Sequence, residues 1–350
     1  MTESNLSWIE FLSQNGARMA AGSETEISGF GTSSLPEGQM DNFIAPLTDL
    51  GLIAVTGEDA ATFLHNQLTN DVEHLGPHDA RLAAYCSAKG RMLASLLVWK
   101  TGDEILLQLP RQLQVAIQKR LQMFVLRAKV KLVDVSGERP ILGLAGTQAQ
   151  RELKAYFPEL PAMPFSKTDS DAGTLIRMSD ADGIPRYQWI APESIAKPAW
   201  TALSKALAPA GAAVWRLSEI RAGIPQITLA TQEQFVPQMI NFELIGGINF
   251  KKGCYPGQEI VARTQYLGKL KRRALLASVS SAAAAGHEVF SSTDPRQPCG
   301  MIINAEASGP DQAECLVEIK TAALNEGTVH LGSVDGPVLT FRTLPYSLND

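Results

Sequence analysis

The sequence predicts an α+β protein of two or three domains that ends in a small all-β domain. Three observations carry this. At 350 residues the chain is longer than one ordinary domain and can bury a full core. Up to about residue 273, strand-like apolar stretches alternate with stretches whose apolar residues have helical 3,4 spacing. After Arg273 only short apolar stretches remain (RALLASVS, HEVF, CGMIINAEAS, ECLVEIK, TVHLG, PVLTFRTL), separated by Gly, Pro and Asp turns as in a small barrel.

Residues 1–40 read as an N-terminal extension. SWIEFLSQNGARMAAG predicts a short helix, and the Gly/Ser/Thr-rich GSETEISGFGTSSLPEGQ predicts a mobile stretch. LGLIAVTG predicts a strand ending in a turn. Thr56-Gly57-Glu58-Asp59 supplies an N-cap candidate with two acids in the first helical turn. Phe63, Leu64 and Leu68 then mark an amphipathic helix. LAAYCSAKGRMLASLLVWK predicts two strands joined by a tight turn at Ser87-Ala88-Lys89-Gly90. EILLQLP predicts a strand, Leu113 to Phe124 a helix, and VLRAKVKLVDV an alternating strand. A second α/β stretch runs from ILGLAG to about Ala210, with helices at Gln148–Tyr156 and near Trp200–Leu207 and strands TLIRMS and RYQWIAP. Residues 214–224 predict a helix stopped by Gly223 and Pro225. There is no internal repeat.

Apolar residues make up 45% and charged residues 19%, the balance of an ordinary soluble protein. The longest apolar run, Met92 to Trp99, is interrupted by Ser95 and far too short to span a bilayer. MTESNLSWIEF has no basic n-region and no long apolar stretch, so a cytoplasmic location is expected and a membrane partner is not. Cys86, Cys254, Cys299 and Cys315 show neither zinc-ligand spacing nor a disulfide framework. Reduced thiols and no stably bound metal are expected. A net charge of −5 argues against a general polyanion binder. Yet residues 251–273 hold seven cations against Glu259 alone, and residues 111–131 hold Arg111, Lys119, Arg120, Arg127, Lys129 and Lys131 with no acid. Such segments suit a local anionic ligand or are simply solvated faces.

The stretch KKGCYPGQEIVAR, residues 251–263, places a cysteine in a turn. Gly253 and Gly257 are expected to admit backbone conformations closed to other residues, and Pro256 fixes one φ. GQEIVART after it starts either a helix or a tight loop; a helix beginning near Gly257 would set Cys254 by its positive end, with Lys251 and Lys252 just before it. Both fields favour thiolate over thiol. The same arrangement suits metal ligation or a bound anion, or is a half-buried small hydrophobe beside solvated lysines. The other three cysteines lie in apolar strand contexts and read as core.

These residues resemble the signature of the YgfZ-type proteins, K-G-C-x-x-G-Q-E, on Lys252, Gly253, Cys254, Gly257, Gln258 and Glu259, with Tyr255 and Arg263 in the same motif. DAATFLHNQLTND, YCSAKGRMLAS, FVLRAKVKL, RAGIP, QFVPQMINFELIGGINFKKGC and LPYSL extend the resemblance over roughly residues 43–348. The resemblance implies the fold of the glycine-cleavage T-protein: α+β, three domains in a ring around a central channel that holds tetrahydrofolate, with a small C-terminal β-barrel. It divides the chain into the extension (1–40), a folate-binding domain (41–138 and 210–268), a second α/β domain (139–209) and the barrel (269–350). It implies a role in iron–sulfur cluster assembly or repair and, through cluster enzymes, in the thiolation of tRNA.

Two departures from the T-protein pattern count against aminomethyl transfer. Ala94 and Ser95 stand where that enzyme has an acidic pair, and neither accepts a proton at neutral pH. Arg221 stands where it has a folate-contacting glutamate, before Ala222-Gly223. YgfZ-type relatives place aromatics on the ligand at positions matching Leu50 and Trp215. Leu50 packs but cannot stack; Trp215 either stacks on a pterin or anchors its helix in the core.

The expectation is therefore a monomeric accessory protein that binds tetrahydrofolate or a derivative, polyglutamated, with the basic segments on its tail. Cys254 is its reactive group, and its partners are iron–sulfur cluster enzymes or assembly proteins, with tRNA met indirectly. Turnover of its own is not expected. An aminomethyltransferase-like enzyme is one alternative. A direct tRNA binder, using the 251–273 cations with Phe250, Tyr255 and Tyr266, is the other.

Overall fold

A computed structural model describes residues 7–31, 41–267, 270–325 and 327–348. Helix α1 (Trp8–Gln14) starts at a reciprocal cap. The Glu10 N–H donates to the Ser7 hydroxyl, and the Ser7 N–H donates to the Glu10 carboxylate at 2.8 Å. The stretch expected to be mobile instead contains a strand: β1 (Ala17–Met19) and β2 (Ile27–Phe30) pair as a hairpin. Two apolar anchors decide this. Ile27 is fully buried and Phe30 packs on Trp200 at 4.9 Å between ring centroids. The rest of that stretch, residues 32–39, lies outside the described residues.

Strand β3 (Phe43–Pro46) leads into β4 (Leu50–Thr56) and helix α2 (Ala60–His65). Thr56 ends the strand and does not cap α2; Asp59 holds the cap position, but its carboxylate accepts the Lys129 N–H at 2.7 Å instead. β5 (Ala80–Cys86) and β6 (Met92–Thr101) form the expected hairpin, followed by β7 (Glu104–Pro110), α3 (Arg111–Met123) and β8 (Lys131–Asp134). Of VLRAKVKLVDV only the last part is strand, because the chain turns at Leu126 (φ 47°) before pairing with β4. These strands make an antiparallel sheet ordered β5-β6-β7-β4-β8. The first eight residues of β6 are all buried, so both sheet faces are covered. That explains an apolar run without alternation.

The next unit carries β9 (Ile141–Ala145), α4 (Thr147–Leu153), β10 (Lys167–Ser170), β11 (Gly173–Ala181), β12 (Ile184–Ile190), α5 (Glu193–Leu203) and β13 (Ala208–Pro209). Its sheet runs β10-β11-β12-β9-β3-β13, so β3 crosses over to join it. α5 begins earlier than its periodicity predicts because Pro198, inside the helix, obscures the pattern. α4 stops before Tyr156, leaving Phe157 to fill the core against Trp189. β10 gave no strand signal. Its fully buried Lys167 is paired with Asp169 where an apolar residue would be expected.

Helix α6 (Ala212–Arg221) ends at Gly223, whose φ of 69° permits the stop. The Tyr346 hydroxyl donates to the Gly223 carbonyl at 2.8 Å, so RAGIP and LPYSL meet in space. After helix α7 (Gln258–Leu267) come β14 (Arg272–Val279), β15 (Glu288–Ser291), β16 (Asp294–Gly309), β17 (Gln312–Lys320), β18 (Val329–Leu331) and β19 (Leu339–Arg342). They form one antiparallel sheet, β18-β15-β16-β17-β14-β19, curled so that its edges approach at a His330–Val338 bridge. Val289, Ile302, Val317 and Ile319 fill its interior. No helix among the described residues is long and apolar enough to cross a membrane.

Candidate functional site

Two regions gather the residues singled out in the sequence, and they are separate. The first is the turn that carries Cys254. Of the helix and the tight loop that the sequence left open, the structure has the helix: α7 starts at Gln258, and Val261 buries its first turn while Glu259 and Arg263 stand exposed. Gly257 has φ 81°, and a Cβ there would sit 2.5 Å from the Ser87 carbonyl oxygen and 2.6 Å from the Gly90 Cα. Gly90 has φ 70°, and a Cβ there would sit 2.9 Å from the Ile260 Cβ and 3.2 Å from the Gly257 carbonyl oxygen. The motif thus packs backbone to backbone on the β5–β6 turn, which only glycines permit. Gly253 differs from the expectation. It has no left-handed backbone, and a Cβ there would meet only His65, at 3.6 Å.

Cys254 is exposed, and the other three thiols are buried. Burial pushes the Cys86 and Cys315 thiols up to about 12 and raises that of Cys299. The Lys252 ammonium turns inward. It donates to the His65 carbonyl and, at 2.9 Å, to that of Leu68, and lies 4.8 Å from the Tyr255 ring centroid. Burial lowers its pKa to about 8. Tyr255 is itself buried, which raises its phenol. His65 also edges this turn, its Nδ1 held 3.1 Å from Asp71. Part of the 251–273 cluster is engaged within the protein. Arg272 pairs with Glu318 and Arg273 with Glu243, while Lys251, Arg263 and Lys271 remain exposed.

The second region is a cavity of about 580 Å³ walled by all three large sheets and α6. Leu50, Ser95 and Trp215 line it; Cys254 does not. Ser95 is five residues along β6 from the Gly90 turn, roughly 17 Å at strand rise. Trp215 is only 3% exposed. Its ring packs on Gly143, where a Cβ would fall 2.5 Å away, and the Arg186 guanidinium lies 4.9 Å from the ring centroid. The indole is thus anchored in the core and offers the cavity little free face. Of the 111–131 cations, Arg111 reaches the cavity, and it pairs with Asp134 at 2.9 Å. Ala94 is buried away from the cavity, and the Ser95 hydroxyl accepts the Ile227 N–H at 2.9 Å. Arg221 points to the C-terminal sheet and pairs with Glu314 at 2.6 Å.

Sequence reasoning missed the cavity's acids. Arg216 holds Glu26 at 2.8 Å, Asp49 at 2.7 Å and also Glu306, and Glu219 pairs with Arg186 at 3.0 Å. Burial raises both Asp49 and Glu306 above the usual carboxylate range, against the pull of Arg216. It also missed Gln108 and Gln188, buried on the cavity wall with carbonyl oxygens that no hydrogen bond reaches. A single Gln among the apolar residues of each of two strand stretches, ILLQLP and YQWIA, was the available signal.

Three sheets around such a cavity define a protein of the T-protein fold. The glycine cleavage system aminomethyltransferase T of Bartonella henselae superposes with a TM-score of 0.80 over 96% of each chain, at 17% identity. Residues 43–176 match the GCVT N-terminal domain. The tRNA-modifying protein YgfZ of Photorhabdus laumondii is 30% identical over 310 residues, 87% of this chain and 92% of its own. That of Colwellia psychrerythraea is 31% identical over 331 residues, 90% of this chain and 95% of its own. The chain belongs to the YgfZ family.

Two outcomes follow from the geometry of the turn. Near neutral pH, Cys254 is alkylated before Cys86, Cys299 and Cys315, and Cys254→Ala melts as wild type does, within about 1 kcal/mol. Peptide mapping that finds a buried thiol labelled first contradicts this. The two motif glycines separate in urea unfolding. Gly257→Ala loses about 1–3 kcal/mol, from its left-handed backbone and the clash with Gly90, whereas Gly253→Ala stays within about 0.5 kcal/mol.

Proposed function

We propose that this protein is a folate-binding accessory protein that supports iron–sulfur cluster assembly or repair, and thereby the thiolation of tRNA, with Cys254 as its reactive group. The observation that carries this is the placement of Cys254. It is the one exposed cysteine of the four, held on a turn that the Gly90–Gly257 contact fixes. A thiol in that position is open to a macromolecular partner. One cysteine supplies one ligand, so Cys254 acts on a cluster or client held elsewhere and is no cage of its own.

The cavity supports the folate half. Its volume suits a pterin with its aminobenzoyl ring, Leu50, Leu97 and Met178 give apolar walls, and the unpaired amides of Gln108 and Gln188 await a polar ligand. Folate, when bound, supplies a one-carbon carrier. This chain's residues hold it without a general base, since Ser95 is committed to the Ile227 N–H and Ala94 faces away. Direct tRNA binding has less support. Lys252, Arg272 and Arg273 are engaged internally, and Tyr255 is buried.

Calorimetric titration with tetrahydrofolate is expected to give saturable binding, while an aminomethyl-loaded carrier protein yields no methylene transfer. Absence of binding removes the ligand from this proposal; measurable transfer makes the protein an enzyme.

A further inference from the structure

The cavity wall carries many polar side chains, and almost all are already engaged. Arg216 pairs with Glu26, Asp49 and Glu306, and Arg186 pairs with Glu219. Ser95 accepts the Ile227 N–H. Asn304 accepts the Gln226 N–H and donates to the Gln226 carbonyl, each at 2.8 Å. Among the buried ones, Gln108 on β7 and Gln188 on β12 are the exceptions. They are 6% and 2% exposed, they line the cavity from two different sheets, and neither side-chain oxygen has a partner among the described residues. No side-chain hydrogen bond of either amide is present at all among those residues.

A buried amide without a partner destabilises the fold, and apolar residues of similar volume would fill both positions better. Two such amides on the wall of one cavity are explained by a ligand that completes them. We propose that Gln108 and Gln188 recognise the ligand of this cavity, and that the group they read is the lactam edge of a planar heterocycle. An amide presents a carbonyl acceptor and an N–H donor side by side, and a lactam presents the complementary pair in one plane. Glutamine reads the donor–acceptor edge of adenine in the same bidentate way. The charged groups of the wall are mutually paired, so the free groups are neutral, and a neutral edge meets no unpaired charge. This rests on the folate reading above. There the lactam belongs to the pterin.

The test uses Gln108→Met and Gln188→Met, which keep an unbranched side chain of similar length. Each full-length variant is melted without ligand, then titrated with tetrahydrofolate and, separately, with p-aminobenzoylglutamate, which lacks the pterin. The expected result has three parts. Each variant melts at or above the wild-type temperature, binds tetrahydrofolate roughly ten- to hundredfold more weakly, and binds p-aminobenzoylglutamate as wild type does. Variants that bind tetrahydrofolate normally, lose both probes equally or melt lower overturn the assignment. Wild type that binds neither probe overturns the folate reading and this assignment together; wild-type binding with indifferent variants overturns the assignment alone.

Discussion

The arrangement around the cavity depends on one guanidinium. Arg216 projects from α6 and holds Glu26 from the N-terminal hairpin, Asp49 from the loop before β4, and Glu306 from β16. Four segments distant in sequence are tied to a single planar fork of donors, which is the geometry arginine supplies and lysine does not. The pairing leaves the cluster with more carboxylates than cations, and burial raises the pKa of Asp49 and Glu306 accordingly. Removing the guanidinium would leave buried carboxylates with no counter-charge, a far larger penalty than the loss of an exposed pair. The N-terminal hairpin is therefore part of the cavity wall, as Gly22, Ser23 and Thr25 on its lining also indicate.

The hairpin of β5 and β6 links the two candidate regions. At one end its turn receives Gly257 and so fixes the Cys254 loop; further along, Leu82 and Ser95 face the cavity. Because both faces of β6 are buried, the hairpin is a rigid spacer between them. The cavity and the thiol-bearing turn thus lie at different places along one element.

Much of the fold was legible from the sequence, and the failures have local causes. The β5–β6 turn, α6 with its Gly223 stop and the C-terminal sheet follow from spacing and turn residues alone. The start of α5 was hidden by Pro198, β10 by its buried Lys167, and β2 by the polar composition around Ile27 and Phe30. Cys254 was legible because its motif is contiguous. The cavity was not, because its acids and amides come from six or so segments that no linear spacing connects. Trp215 read equally as a stacking platform or a core anchor, and only the packing of Gly143 against its ring, which no linear spacing reveals, favours the anchor. The lysines before Cys254 looked like a shared field, yet Lys252 turns inward to two backbone carbonyls.

The central claim is that the family's cellular role passes through the Cys254 thiol. The direct measurement is the level of thiolated tRNA in a bacterial strain that lacks its own YgfZ protein and is supplied with this chain or with Cys254→Ser at equal abundance. The wild-type chain should restore thiolation and the variant should leave it at the level of the deletion strain. Full restoration by Cys254→Ser would contradict the claim and move the role from the thiol to the cavity.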